Sequence, residues 1–139
     1  MRTLVHRMLG ALALVALPFL TNSCDGEPVE ATGGAVSQAQ ADGAIGGLCE
    51  ISANPGAAFD EQRAIFYDRT HDTLHAIAAE AQAVDVTAAA GLLEAKQVVE
   101  SDLEEPDAPG DFPAHVEALL EATRVATAEI GLNAAVCDG

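Results

Sequence analysis

FDEQRAIFYDRTHDTLHAIAAEAQAV, residues 59–84, decides the fold. On an unbroken helix Phe59, Phe66, Thr70, Ile77 and Ala81 share one stripe, flanked by Tyr67 and Leu74. Apolar positions at that spacing mark an amphipathic helix facing a core. The stretch also carries His71 and His75, four residues apart, which places both imidazoles on one side and one turn apart. Asp68 and Asp72 repeat the spacing beside them. His71 lies at the edge of the stripe and His75 points further out.

Outward from this stretch, two more helices are legible. Val86–Leu103 follows Asp85, a good N-cap, and shows Ala89, Leu92, Leu93, Val99 and Leu103 on its apolar side. Lys96 falls in the middle of that side with Glu100 one turn on. It is expected to lay its methylenes on apolar surface and send its ammonium to water, with Glu100 as a partner. A sharper alternative pairs it across helices with Asp68 or Asp72. The last helix opens at Asp111 with Pro113 in its first turn and ends near Gly131 or Asn133. Phe112, Val116, Leu119, Thr123, Ala126 and Ile130 form its core stripe. The intervening SDLEEPDAPGDFP, 101–113, is a solvated turn. Its acids do not fit a calcium loop, because Asp107 stands where a glycine is needed. Asn54-Pro55 looks like the start of the first helical region, with Asn as cap and Pro in the first turn.

Composition agrees with an all-α fold. Aromatics make up 4% of the 139 residues and Trp is absent, so the core must be Ala, Leu, Val and Ile. Beyond residue 24 only Arg63, Arg69, Lys96 and Arg124 are fixed positive charges, four against 22 carboxylates, a formal −18. Such a surface repels nucleic acid, whose affinity rests on Lys and Arg contacts to phosphate. It also repels anionic lipid and favours cations or basic partners.

Residues 1–24, MRTLVHRMLGALALVALPFLTNSC, have a charged start at Arg2 and Arg7, an apolar run over Met8–Leu20 and small Ser23 before Cys24. The run is of signal-peptide length and short of the roughly 20 apolar residues that span a bilayer. The residues alone allow an ordinary secretory signal, an uncleaved anchor or a lipidation signal. As a whole the segment resembles a bacterial lipoprotein signal. That resemblance implies residues 1–23 as signal peptide, Cys24 as the lipidated first residue of the mature chain, and a lipid anchor on the cell membrane, on its periplasmic or outer face. Residues 24–48, rich in Gly, Ala, Gln and acid, read as a flexible linker to a domain over 49–139. A short helix around 37–42 is allowed.

With Cys24 assigned to lipid, Cys49 and Cys137 are left as a pair at the two edges of the domain. In an oxidising envelope they are expected to form a disulfide. A loop that long stabilises the folded state by about 4–5 kcal/mol in the chain-entropy picture. The pairing constrains topology. Three long helices leave the chain ends at opposite poles unless a tail folds back. A break near Arg69–Thr73 would give four helices and return the chain to its start. The expectation is therefore a small three- or four-helix antiparallel bundle, with four favoured by the disulfide.

Two functions remain open. One is a lipid-anchored interaction module offering an acidic helical surface to another envelope protein. The other is a periplasmic or surface metal-binding protein. In that reading His71 and His75 would hold zinc, copper or nickel, with His115 as third ligand and Asp68, Asp72 or Glu94 completing the set. HDTLH, 71–75, lacks the Glu after the first His that metalloprotease helices carry. No serine lies in a nucleophile-elbow setting and no glycine run fits a phosphate loop. An enzyme is the least favoured class.

Overall fold

In a computed structural model, which describes residues 35–137, the chain forms an antiparallel four-helix bundle without strands among the described residues. The signal segment, Cys24 and the first part of the expected linker lie outside the described residues. The elements are α1 (Gln38–Ala53), α2 (Phe59–Ile65), a π-helical turn (Phe66–Thr70), α3 (His71–Ala81), α4 (Val86–Glu104) and α5 (Phe112–Glu129). The segments from α2 to α3 follow one another without a gap and act as the second rod of the bundle.

The fourth helix comes from an unexpected place. Residues 37–48, expected as linker, hold the cap and most of α1. Average composition hides the signal here, because Gly and Ala lower the apparent hydrophobicity. The period is nonetheless present: Ala41, Ala44, Ile45, Leu48 and Ile51 are all buried. The start is fixed by a capping box. Gln40 N donates to Ser37 Oγ at 3.3 Å, and Ser37 N donates to Gln40 Oε1 at 2.9 Å. Asn54, expected to open a helix, closes α1 instead. Its backbone N–H donates to Ile51 O, and its Nδ2 donates to Glu50 O at 2.9 Å. Pro55 then follows a helix end, which is as favourable as leading a start.

The expected break at Arg69–Thr73 is a wider turn rather than an interruption. Gln62, Phe66, Thr70 and Leu74 are all buried. Steps of four on an ideal α-helix would swing this stripe by about 120° over the twelve residues. The π-turn takes up part of that drift, with His71 N–H bonded to Phe66 O, five residues back. Gly47 of α1 makes room for the turn, since a Cβ there would collide with Thr70 Oγ1.

The other helices follow their sequence signals. Asp85 Oδ1 accepts from Thr87 N at 2.8 Å and Ala88 N at 3.2 Å. Ala89, Leu92, Lys96, Val99 and Leu103 form the buried stripe of α4, whereas Leu93 is 43% exposed and belongs to the surface. The acids at the C-terminal end of α4 face an unfavourable dipole. Arg63 compensates, with Nε donating to Leu103 O and Nη2 to Glu105 O, both at 2.8 Å. Pro113 lies in the first turn of α5; Asp111 occupies the cap position without a side-chain capping bond. At the far end Gly131 takes φ 79°, and Leu132 N reaches back to Thr127 O at 3.1 Å, a Schellman closure. Phe66, Leu74, Ile77, Leu92, Val99, Val116 and Leu119 fill the centre with Ile45 and Leu48. Fully burying each such side chain contributes about 1.5–3 kcal/mol before chain entropy is charged against it.

Cys49 and Cys137 are bonded, with Cα atoms 5.4 Å apart and a sequence separation of 88. Four helices alone do not bring them together, because Cys49 lies three turns into α1. The chain leaves α5 beside the start of α1, where Gln38 and Asn133 exchange two hydrogen bonds of 2.8 and 2.9 Å. It then runs along α1 to Cys137, held by Arg124 Nε on Ala135 O at 3.2 Å. The bundle thus has both features weighed as alternatives, a fourth helix and a folded-back tail.

Candidate functional site

The π-turn hands the chain to α3 at His71, and α3 packs against α4. This junction gathers His71, His75 and Glu100, whose potential ligand atoms all lie within 4.8 Å of one another. The histidine pair is local, one helical turn apart, with ring centroids 4.8 Å apart at 77°. Glu100 arrives from the neighbouring helix, its Oε1 2.9 Å from His71 Nε2. On the other side of the ring, His71 Nδ1 is 2.9 Å from Asp72 Oδ1. Each ring nitrogen of His71 thus faces a carboxylate oxygen, and a metal ion between Nε2 and Glu100 would take the place of a proton there while Nδ1 donates to Asp72. A carboxylate behind an imidazole in this way fixes ring and tautomer in metal sites.

Lys96 completes the group. Its side chain is 3% exposed, and Nζ donates to Glu100 Oε1 at 2.6 Å. The ammonium therefore does not reach water, and its partner is on its own helix rather than Asp68 or Asp72. It sits one turn from both Leu92 and Val99 on the core face of α4, and Nζ turns to Glu100 rather than to water. Tyr67 forms a wall of the site, its ring centroid 5.5 Å from that of His71. Burial pushes the Tyr67 hydroxyl pKa up, and the charges of Glu100 and Glu104 add to this. The pKa of His75 is pushed down, first by partial removal from water and then by the positive Lys96 and by His71; Glu100 and Asp72 pull the other way. A His75 biased towards its neutral form keeps a lone pair available for a ligand role.

The structure places the other expected ligands, His115, Asp68, Asp72 and Glu94, apart from this three-residue group. His115 is not in the group. It sits where α4 meets α5, with Nδ1 2.7 Å from Asp102 Oδ2, because the short α4–α5 turn pairs the end of one helix with the start of the next. Asp68 and Glu94 are exposed and stand outside the group, and Asp72 stands behind His71 rather than beside His75. The third donor, Glu100, was visible in sequence only as the partner of Lys96. Its position one turn below a lysine on a core stripe was the available signal, since a buried cation calls for a carboxylate.

Two imidazoles and one carboxylate suit zinc, copper or nickel chemically, and zinc takes this set in sites that keep a position open. Bonds of about 2.0–2.2 Å put tetrahedral ligand atoms roughly 3.3 Å apart. A metal ion would require side-chain rotation to bring the observed spread, within 4.8 Å, down to that distance. Comparison of the chain with protein-family models, with curated proteins and with solved structures finds no match.

Proposed function

We propose that this chain is an exported, lipid-anchored envelope protein whose bundle binds a divalent transition metal through His71, His75 and Glu100. The observation that carries the reading is the convergence of three donors from two helices at a π-turn, with Asp72 backing one imidazole. π-turns inside α-helices recur at functional sites. Here the turn sets the rotation of α3 and hence the direction of both histidines. The lipoprotein-like signal supports placement at the cell membrane through Cys24. The formal −18 of the chain beyond it would concentrate cations near the domain. Among the described residues no helix is long and apolar enough to cross a membrane, so the anchor would lie in the signal region.

The test is calorimetric titration of the purified, oxidised protein with zinc, copper and nickel, with Cys24→Ser removing the free thiol. Stoichiometric binding is expected, lost in His71→Ala/His75→Ala and strongly weakened in Glu100→Gln. Binding that the double variant shares would overturn the reading.

A second reading has its own support. Val84, Val86 and Val125 are 64%, 64% and 44% exposed. Val125 borders a shallow groove lined by Ala88, Gly91 and Ala122. An anchored module that binds another envelope protein would use such a surface, and this reading takes over if no metal binds.

A further inference from the structure

We infer that Lys96 is a built-in counter-cation for Glu100, so that a divalent metal enters the His71–His75–Glu100 group by displacing the lysine ammonium. This rests on the metal reading above. Lys96 is the one lysine of the sequence, and it is placed on the core stripe of α4 where every other member is Ala, Leu or Val. Keeping an ammonium at a 3% exposed position is strongly unfavourable unless it is paired. The pair it makes uses Glu100 Oε1, the same oxygen that faces His71 Nε2. A metal bonded to that oxygen would stand against the ammonium at contact distance. The two cations exclude each other, and one must leave.

The geometry gives the lysine a way out. Glu100 is 27% exposed and His75 lies at the surface. Four methylenes let Nζ swing towards solvent on that side once Glu100 releases it. The arrangement also selects among ions. Calcium and magnesium bind through carboxylate and carbonyl oxygen, and here the central carboxylate is already neutralised. Zinc, copper and nickel gain from the two imidazoles as well and are better placed to compete. An acidic protein would otherwise have little to discriminate the transition ions from the abundant alkaline-earth ions.

Zinc affinity of the wild-type protein and of Lys96→Met, measured by competition with a chromophoric chelator, tests this. Lys96→Met should bind zinc at least about tenfold more tightly, since a charge-assisted hydrogen bond no longer has to be broken. Its preference for zinc over calcium should narrow. A second measurement needs no variant. In the unaltered side-chain set, reductive methylation with labelled formaldehyde reports on a single lysine. Lys96 should react slowly without metal and severalfold faster with saturating zinc. Zinc binding by the wild type with Lys96 still protected, or with no gain in Lys96→Met, overturns the competition and leaves the metal site standing. Absence of binding in both proteins overturns the site itself.

Discussion

His71 and His115 each lie against a carboxylate of α4, Glu100 at 2.9 Å and Asp102 at 2.7 Å, yet the two places are built differently. At the α4–α5 corner one imidazole meets one carboxylate, and the contact closes a turn. At the α3–α4 face a second imidazole, a buried lysine, a tyrosine and a backing aspartate surround the contact. Proximity along the chain makes the first, because a short turn between antiparallel helices pairs their ends. The second needs a change of helical rotation at residues 66–70 and a lysine kept in the core at a cost to stability. Structure retained at a cost is the better sign of function.

The difference has an energetic consequence that is large enough to measure. Glu100→Gln leaves Lys96 buried without its carboxylate, and unfolding by urea should show a loss of about 3 kcal/mol. Asp102→Asn removes a charge from a pair that solvent partly reaches, and the loss should stay near 1 kcal/mol. Lys96→Met with Glu100→Leu removes both charges and should recover most of the stability lost in Glu100→Gln. Equal losses in the two single variants would erase the distinction between the two places.

The π-turn is the next point at which the comparison can be broken. Gly47→Ala pushes a methyl group against Thr70 Oγ1, a buried oxygen without a hydrogen-bond partner. The gain in helix propensity offsets part of the strain, and a net loss of about 1–2 kcal/mol is expected. Thr70→Ala in the same chain frees the space and should restore stability. The same pair should weaken and then restore zinc binding, because His71 directly follows the turn. The His115–Asp102 contact, on the opposite side of the last turns of α4, should be untouched. Its imidazole resonances in an NMR spectrum would show this.

How much of this was legible in the sequence depends on the range of the interaction. Asp85 as cap, the span of α4, Pro113 in the first turn of α5 and Gly131 at its end are local chemistry and could be read directly. The Cys49–Cys137 pairing is legible once Cys24 is set aside as the expected lipidation site. Glycines at 43, 46 and 47 give helix α1 the composition of a linker, although Ser37 and Gln40 form a complete capping box. Asn54-Pro55 was ambiguous in principle, since Asn caps both ends of helices and Pro is at home just outside either. The steps of four from Gln62 to Leu74 were on the page, but only packing against α1 turns that spacing into a π-turn. Glu100 as third donor is a contact between helices, and no periodicity within one helix encodes which residue lies opposite another.

Tyr67 offers the smallest effect and the most direct reporter, because it is the one tyrosine in a chain without tryptophan. Burial, then Glu100, then Glu104 hold its hydroxyl above the ordinary value of about 10, against a lowering by Arg63. The folded state thus favours the protonated phenol. The stability this contributes is fully present below the unfolded value and is lost as pH rises through the raised one. Phenolate absorbance should accordingly show a midpoint above 10 in the folded protein and a return towards it on unfolding. Glu100→Gln should lower the folded midpoint part of the way, since one of the three raising causes is gone. Asp102→Asn should leave it where it was. Zinc held on Glu100 would neutralise the same charge and shift the midpoint in the same direction as Glu100→Gln. A midpoint that follows Asp102 as closely as Glu100 would mean that the two sides of the last turns of α4 share one diffuse acidic field, and the α3–α4 face would lose its claim to be a separate electrostatic unit.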